Sequence, residues 1–241
     1  VDDFSDLFGM NAAGTDAKMR NTKESILEAQ FTSGAGNWCT WMFGRDLVNW
    51  NNNFTWAKWV TPSRDLISAF KQEGDEVRFK ESIVYYDCNW SNYYPSDNYP
   101  FMYKCRSANS SIIKYRYADV LLLKAEALIM QDTPDLEGAA DIIDKVRDRA
   151  KLGALPTSVR SNKNVLLNAL LKERRLELAF EGQRWFDLVR LDKVEEVMNA
   201  VYAKDSGRKA QIYTFDKNSY RLPIPQSVID ANDKIHQNPG Y

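Results

Sequence analysis

Three glutamates stand at steps of four in the stretch LLKERRLELAFEGQRWFDLVR, residues 170–190, where acid/base chemistry is the first possibility. They are Glu173, Glu177 and Glu181. A glycosidase uses two carboxyl groups, and its general acid needs a raised pKa in an open cleft. Arginines stand among these glutamates, and a neighbouring guanidinium lowers the pKa of a carboxyl group. The residue types therefore favour structural ion pairs over catalysis, and we assign no catalytic residue.

A helical wheel of this stretch, drawn at about 100° per residue, puts charged and apolar side chains in one arc. Arg174, Glu177, Glu181 and Arg184 share that arc with leucines, at spacings that make each a neighbour of the next on a helix. An unpaired charge on a core-facing arc is costly, so each carboxylate should have a positive partner. We predict a structural ladder, and we expect Arg174→Ala to unfold the protein before it alters any ligand preference. The residues assigned to this structural role are Glu173, Arg174, Glu177, Glu181 and Arg184.

Composition and charge exclude several other kinds of chemistry. The 241 residues carry a formal net charge of −1, with acids and bases interspersed, so the basic footprint of a nucleic-acid-binding protein is missing. The single histidine, His236, lies near the C-terminus, which argues against Ser-His-Asp and Cys-His catalysis. Cys39, Cys88 and Cys105 form no zinc motif; we expect buried or half-buried thiols, with a Cys88–Cys105 disulfide as the alternative. We predict neither a metal nor a cofactor.

Aromatic residues are concentrated in the first half of the chain. The stretch NWCTWMFGRDLVNWNNNFTWAKWV, residues 37–60, holds five of the seven tryptophans among several asparagines, and a tyrosine-rich segment follows near residue 90. A flat aromatic face stacks on the C–H groups of a sugar, while amides bond its hydroxyls. The alternative is that these rings fill the core of a loop-rich region. The candidate ligand-binding residues are Trp38, Trp41, Trp50, Asn51, Trp56, Trp59, Trp90, Tyr93 and Tyr94.

The pattern changes from loop-rich to helical near residue 110. SILEAQF alternates and predicts a strand with Leu27, Ala29 and Phe31 facing inward, and ESIVYYD predicts another strand. TPSRDLISAF predicts a helix with Thr61 as N-cap. The stretch from Asn89 to Pro100 has the composition of a loop.

The apolar pattern of the second half of the sequence predicts helices that pack on one another. YADVLLLKAEALIMQ and LEGAADIIDKVRDRA form one tetratricopeptide-like pair with alanines at the contact, and such a pair needs a further element to cover it. NVLLNALLKERRLELAFEGQRWFDLVRL predicts a long helix, broken or bent near Gly182, and LDKVEEVMNAVY predicts another. Three prolines prevent a continuous helix in the C-terminal segment.

Three stretches together resemble the SusD/RagB family of bacterial outer-membrane nutrient-binding lipoproteins: YRYADVLLLKAEALI, LLKERRLELAFEGQRWFDLVR and LPIPQSVIDANDKIHQNPGY. The residues that match the family's helix motif are Glu173, Arg174, Arg175, Glu177, Leu178, Phe180, Glu181, Gly182, Arg184, Asp187, Leu188 and Arg190. The ending with Pro223, Ile224, Pro225 and Asn238 to Tyr241 is similar to the family's C-terminus. The resemblance implies a mainly α fold, with tetratricopeptide-like helix pairs plus a loop-rich region with a few short strands.

The resemblance also implies a function. Members of the family bind oligosaccharides, or in some cases peptides, at the cell surface, and they act as a lid on a SusC-like TonB-dependent transporter without catalysis. We therefore expect residues 1–110 to be a ligand-binding region and residues 111–241 a helical C-terminal region of one SusD-like domain. Relative to the family the chain begins about halfway along, so the lipidated cysteine and first repeats are expected to be absent. The rival hypotheses are a protein- or peptide-binding scaffold and a glycoside hydrolase.

Overall fold

In a computed structural model, the part of the chain that is described comprises residues 1–13, 17–32, 36–37, 61–88, 91–106, 109–204 and 214–241. The chain divides into two compact units, Val1–Gln183 and Arg184–Tyr241. The predicted change of character near residue 110 therefore falls inside the first unit. The assignment of residues 1–110 to ligand binding stays a prediction.

The first unit begins with short helices and strands and ends with longer helices. Its elements up to residue 116 are α1 (Ser5–Phe8), β1 (Ser25–Ala29), α2 (Arg64–Glu73), α3 (Glu76–Ser82), β2 (Ile83–Tyr86), β3 (Tyr99–Met102) and β4 (Ile112–Arg116). The remaining ones are α4 (Tyr117–Met130), α5 (Leu136–Arg149), α6 (Thr157–Arg160) and α7 (Lys163–Glu177). Strand β1 pairs antiparallel with β4, and β2 pairs antiparallel with β3.

The strand predictions for β1 and β2 are confirmed, but the predicted inward face of β1 is wrong. Leu27 is 53% exposed and lies opposite Tyr115 of β4, between two irregularities of the register. Those irregularities break the alternation of faces on which the prediction relied. The prediction of a loop up to Pro100 was also wrong at its end, because β3 begins at Tyr99. Pro100 is tolerated there because β3 belongs to a two-stranded sheet.

Helix α2 starts two residues later than predicted. Its N-cap is Ser63, whose side chain accepts a hydrogen bond from the Leu66 amide at 3.1 Å. Thr61 is not the cap, and its hydroxyl instead lies 3.1 Å from the Tyr99 hydroxyl. The helix ends at Gly74, whose φ of 69° is a left-handed conformation that glycine adopts readily. Ile67 and Phe70 face the core.

Helices α4, α5 and α7 share the main hydrophobic core. Ala125 of α4 and Ala139 and Ala140 of α5 are fully buried in it, as the small residues of a tetratricopeptide-like pair require. Leu166 and Leu170 of α7 complete this core. The predicted pair is thus covered by the helix that carries the acidic motif.

Helix α7 ends at Glu177, about one turn before the predicted break near Gly182. Phe180 and Gly182 have φ values of 65° and 83°, so the turn that follows α7 passes through two left-handed residues. A positive φ is unusual for a phenylalanine, and Phe180 packs at the edge of a core cluster with Ile67 and Leu176.

The second unit, described by itself, contains α8 (Arg184–Arg190), α9 (Val194–Lys204), a 3₁₀ turn (Lys217–Tyr220) and α10 (Gln226–Asp230). Trp185 and Tyr202 both contact the ring of Phe215, with ring centroids 6.3 and 5.3 Å apart. Extended backbone joins the 3₁₀ turn to α10, where the prolines disfavour helix. Across the described ranges, no helix is long and apolar enough to cross a membrane.

Candidate functional site

The acidic motif is the centre of a buried charge network in the first unit. Glu177, at the end of α7, has no solvent exposure, and its carboxylate pairs with guanidinium groups from three elements. These come from Arg78 of α3, Arg116 at the end of β4 and Arg149 of α5. One carboxylate thus ties three segments to α7.

The Arg116 side chain makes the densest set of contacts in this network. It binds both carboxylate oxygens of Glu181 at 2.7 and 3.0 Å, donates to the Glu177 carbonyl at 2.7 Å and reaches Glu24 at 2.9 Å. The buried Lys104 amine donates to the same Glu181 carboxylate at 2.6 Å and to the Glu177 carbonyl at 2.8 Å. The turn after α7 is therefore held by charge-assisted hydrogen bonds.

The network corrects the predicted ladder. Arg174 does not pair with Glu177 one turn away; it pairs with Asp119 of α4, at 2.8 Å. Glu173 pairs with Arg78 at 2.6 Å, and Glu181 has its partners on β4 and after β3. Because the helix ends at Glu177, Arg184 belongs to α8 and does not follow Glu181 on one helical face. The expectation of paired charges holds, but the partners come from other elements.

The pKa values follow from burial and from these partners. Burial raises the pKa of Glu177, but Arg116, Arg149 and Arg78 outweigh it and hold the pKa far below its usual range. For Glu173 burial dominates and raises the pKa despite the Arg78 contact, contrary to the sequence argument. Burial also lowers the pKa of Lys104, to about 8. Neither Glu173 nor Glu177 faces an open cleft, which a glycosidase acid requires.

Most of the predicted ligand-binding residues lie outside the described residues. These are Trp38, Trp41, Trp50, Asn51, Trp56, Trp59 and Trp90. Tyr93 and Tyr94 are described, and both are half-buried in the segment between β2 and β3. Cys39 also lies outside, whereas no disulfide joins Cys88 to Cys105, so the disulfide alternative is wrong.

Tyr93 and Tyr94 form an aromatic wall with Arg64. The two rings meet edge to face, with centroids 5.0 Å apart, and the Arg64 guanidinium lies 4.2 and 4.5 Å from their centroids. Arg64 also donates to the Tyr93 carbonyl, and the Tyr94 hydroxyl donates to the Pro62 carbonyl at 2.7 Å. The ring of Tyr94 also contacts the ring of the buried Tyr99, and the two centroids are 5.5 Å apart. The wall is therefore fixed by the core behind it.

A surface pocket of about 480 Å³ opens in front of Tyr94. It is lined by Arg64, Ile67, Ser68, Lys71, Gln72, Tyr85, Tyr94, Pro95 and Asn98. Tyr85 and Tyr94 supply aromatic surface, and the amides of Gln72 and Asn98 supply hydrogen-bonding groups at its edge. Burial raises the pKa of Tyr85, which keeps its phenol neutral.

Sequence reasoning missed every lining residue of this pocket except Tyr94. A signal was available for α2, because Arg64, Ile67, Ser68 and Lys71 follow the spacing that places residues on one helical face. Tyr85 was interpreted only as part of a strand. Nothing local in the sequence brings Tyr85 and Asn98 to this face of α2; the pairing of β2 with β3 does.

Comparisons with known proteins agree with this fold. A model of the SusD family matches residues 100–241. SusD-like protein P38 of Formosa agariphila is 43% identical over 99 residues, 39% of this chain and 19% of that protein. SusD-like protein P2 of the same organism is 36% identical over 143 residues, 56% of this chain and 27% of that protein.

A solved structure, a laminarin binding SusD-like protein, matches with a TM-score of 0.66 at 24% identity, over 100% of this chain and 53% of that one. At this identity the likeness shows the fold, and the predicted mainly helical SusD-like fold is confirmed. The chain spans about half the length of that solved relative and less than a third of the two curated relatives.

Proposed function

This chain belongs to the SusD family, and from that premise we propose that it binds oligosaccharides and passes them to a SusC-like TonB-dependent transporter. Members of the family are carbohydrate-binding proteins of the outer-membrane surface. The delivery step and the transporter are carried over from the family as part of the proposal.

The observation that carries the binding proposal is the tyrosine-walled pocket beside α2. Sugar rings present flat C–H faces that pack on aromatic rings, while their hydroxyls need donors and acceptors at the edge. Tyr85 and Tyr94 offer the aromatic surface, and Gln72 and Asn98 offer amides. The Tyr94 ring is held in place by its bond to Pro62 and its contact with Tyr99. Such preorganisation lowers the entropic cost of binding.

The tryptophan-rich segment extends this proposal. We propose that one or two of Trp38, Trp41, Trp50, Trp56, Trp59 and Trp90 stack on further sugar units, with Asn51 bonding their hydroxyls and Tyr93 supporting Tyr94. A polymer fragment needs several such contacts, because each contact with a sugar is weak on its own.

We propose further that binding is not followed by hydrolysis. Glu173 and Glu177 of the family motif are buried and paired with arginines, and among the described residues no carboxylate lines the pocket beside α2. A general acid and a second carboxylate facing one sugar are the minimum for glycoside hydrolysis. Release of reducing sugar by the purified protein would contradict this part of the proposal.

The test of binding is isothermal titration against a panel of neutral and charged oligosaccharides. Tyr85→Ala should weaken binding roughly tenfold, because an aromatic contact with a ligand contributes about 1 kcal/mol or more. Tyr115→Ala is the matched control, since Tyr115 is an exposed tyrosine on the other sheet and does not line the pocket. Absence of binding to the whole panel would overturn the proposal. Unchanged binding after replacement of all six tryptophans by alanine would exclude the tryptophan segment.

The second candidate is a protein- or peptide-binding scaffold without a glycan ligand. Tyr117, Val120 and Leu123 lie at steps of three on α4 and are 51%, 44% and 41% exposed, which gives that helix an apolar outer face. Apolar faces of this kind are typical of interfaces. If the oligosaccharide panel fails and Val120→Asp abolishes binding to a partner protein, this candidate replaces the first.

A further inference from the structure

We infer that Tyr85 is a specificity-determining residue of the pocket beside α2: its hydroxyl group bonds a hydroxyl of the bound glycan, so the pocket prefers fully hydroxylated sugar units to deoxy units. This inference rests on the proposed function, since it specifies which sugar units the same site accepts. It follows from a difference between the two tyrosines that line the pocket.

The hydroxyl groups of Tyr85 and Tyr94 have different surroundings. The Tyr94 hydroxyl donates to the Pro62 carbonyl at 2.7 Å, so its proton is used within the fold. The Tyr85 hydroxyl forms no hydrogen bond with any residue that the structure describes. A phenol donates one hydrogen bond and also accepts. Both capacities of the Tyr85 hydroxyl therefore remain for a ligand.

The ring that carries this hydroxyl is held from behind by other aromatic rings. It contacts Phe79 of α3, with ring centroids 6.4 Å apart, and Phe79 in turn contacts the buried Phe70 of α2 at 5.7 Å. The pairing of β2 with β3 places Tyr85 opposite Pro100. A hydroxyl on a ring that packing holds in place loses little freedom when it binds, and it meets the ligand at a defined position. This arrangement favours recognition of one particular sugar hydroxyl.

The pocket offers a sugar hydroxyl both a donor and an acceptor. Burial raises the pKa of Tyr85, so the phenol keeps its proton at neutral pH and can donate. The Gln72 amide nitrogen donates to the Ser68 hydroxyl at 3.2 Å, which orients the Gln72 side chain and leaves its carbonyl oxygen to accept. A sugar hydroxyl donates one hydrogen bond and accepts others, so it matches this lining.

The exchange of water for a sugar hydroxyl makes the Tyr85 contact selective. A phenol at the surface of a pocket bonds water until a ligand displaces that water. A hydroxylated sugar unit replaces the lost bond, whereas a deoxy unit covers the ring and leaves the phenol without a partner. Sites that bond a ligand hydroxyl reject analogues that lack it for this reason. The Tyr94 hydroxyl stays bonded to Pro62 in both cases, so Tyr94 provides aromatic surface without this discrimination.

The experiment compares glycans that differ by one hydroxyl. The probes are cellotetraose, laminaritetraose, mannotetraose and tetragalacturonate, together with single-deoxy analogues of the one that binds most tightly. At least one deoxy analogue should bind the wild type about fivefold more weakly than its parent. Tyr85→Phe keeps the ring and removes only the phenol oxygen. It should weaken binding of the parent about fivefold and leave binding of that analogue unchanged.

Tyr94→Phe and Tyr115→Phe are the matched controls. Tyr94→Phe should weaken binding of the parent and of its deoxy analogues by the same factor, because it loosens the aromatic wall without removing a contact to the ligand. Tyr115→Phe, on the other sheet, should change neither affinity. Each variant combined with each analogue forms a double-mutant cycle, and only the cycle of Tyr85 with one sugar hydroxyl should show coupling.

Three results overturn the inference. They are equal affinity of wild type and Tyr85→Phe for the parent, an equal loss for the parent and every analogue, and a preference for the parent that survives Tyr85→Phe. If Tyr85→Ala weakens binding and Tyr85→Phe does not, the pocket binds by its aromatic surface alone, and the inference fails while the proposed function stands. If none of the four tetrasaccharides binds, the inference fails, and the proposed function fails with it only when the rest of the panel also fails to bind.

Discussion

The buried network around Glu177 and the pocket in front of Tyr94 both combine charged and polar groups, yet they differ in how far these groups are exposed to solvent. In the network Glu173, Glu177 and Glu181 each pair with a cation from another element. In the pocket Lys71, Gln72 and Asn98 are exposed, and Arg64 lies against the rings of Tyr93 and Tyr94. The first arrangement stabilises the fold, and the second leaves polar groups accessible to a ligand.

This difference shows that the density of charge in a sequence does not locate a binding site. The motif between Glu173 and Arg184 is somewhat richer in charge than α2, but its glutamates are paired with cations of other elements. Aromatic and polar groups that stay accessible after folding are a better guide to a ligand. The predictions below test this contrast, in order from the largest effect on stability to the smallest.

The largest loss of stability is expected from Arg116→Met. The change leaves the carboxylates of Glu24, Glu177 and Glu181 buried with fewer partners, and removing one member of a buried ion pair costs about 3–5 kcal/mol. Urea unfolding followed by circular dichroism measures the change. We expect a free energy of unfolding so reduced that the variant is largely unfolded at room temperature.

Arg160→Met is the matched control for Arg116→Met. Arg160 also binds three carboxylates, but those of Glu137 and Asp141 are mostly exposed, and ion pairs in water contribute little. The loss of stability caused by Arg160→Met should therefore be much smaller than that caused by Arg116→Met. Equal destabilisation by both variants would show that burial does not distinguish the network from a surface cluster.

Arg174→Ala should cost about 3 kcal/mol, less than Arg116→Met, because Arg174 pairs with the buried carboxylate of Asp119, whereas Arg116 pairs with the carboxylates of Glu24, Glu177 and Glu181. We expect no change in affinity among molecules that remain folded, since Arg174 does not line the pocket. The measurement combines urea unfolding with titration of the tightest oligosaccharide. A stable Arg174→Ala protein with altered ligand preference would contradict the separation of the two regions.

Much of the helical half could be predicted from sequence, because its signals are local. Apolar spacing in YADVLLLKAEALIMQ identified α4, and the charges around Glu177 predicted that this carboxylate would be paired. The partners of those glutamates could not be predicted. Arg78 and Arg116 are 99 and 61 residues from Glu177 in the chain, and only tertiary packing brings them together.

The pocket was harder to predict, because its residues are individually ordinary. Tyr94 was identified by aromatic composition, whereas Tyr85 alternates in a strand and Lys71 is one of many surface lysines. The inward face of β1 was wrong because irregular pairing with β4 broke its alternation. Local pattern therefore specified the elements, while register and packing decided which side chains share a surface.

The titration of Lys104 provides a pH test of the network, in which the expected change in stability is smaller than for the substitutions above. Its pKa is lowered from an ordinary 10.5 to about 8 in the folded protein, chiefly by burial. Between these two values the unfolded chain binds more protons than the folded one, so this group's contribution to stability rises with pH. Relative to Lys104→Met, the wild type should gain about 1–2 kcal/mol between about pH 8 and about pH 9.5.

The comparison with Lys104→Met cancels the titration of tyrosines and other lysines, which both proteins share. Urea unfolding of the two proteins at each pH gives the difference directly. A wild-type stability that falls relative to the variant over this window would mean that Lys104 stays charged in the fold, with Glu181 outweighing burial.

Lys71→Gln should have the smallest effect on stability, within about 0.5 kcal/mol of wild type, because an exposed side chain without an ion pair in the described ranges has little to lose. The same change should alter the affinity for an oligosaccharide bound in the pocket, because Lys71 lines it, whereas Arg174→Ala should lower stability and leave affinity unchanged. Differential scanning calorimetry beside titration of both variants measures the two responses. Destabilisation by Lys71→Gln comparable to that of Arg174→Ala would mean that Lys71 serves the fold, and the contrast between the buried network and the exposed pocket would be lost.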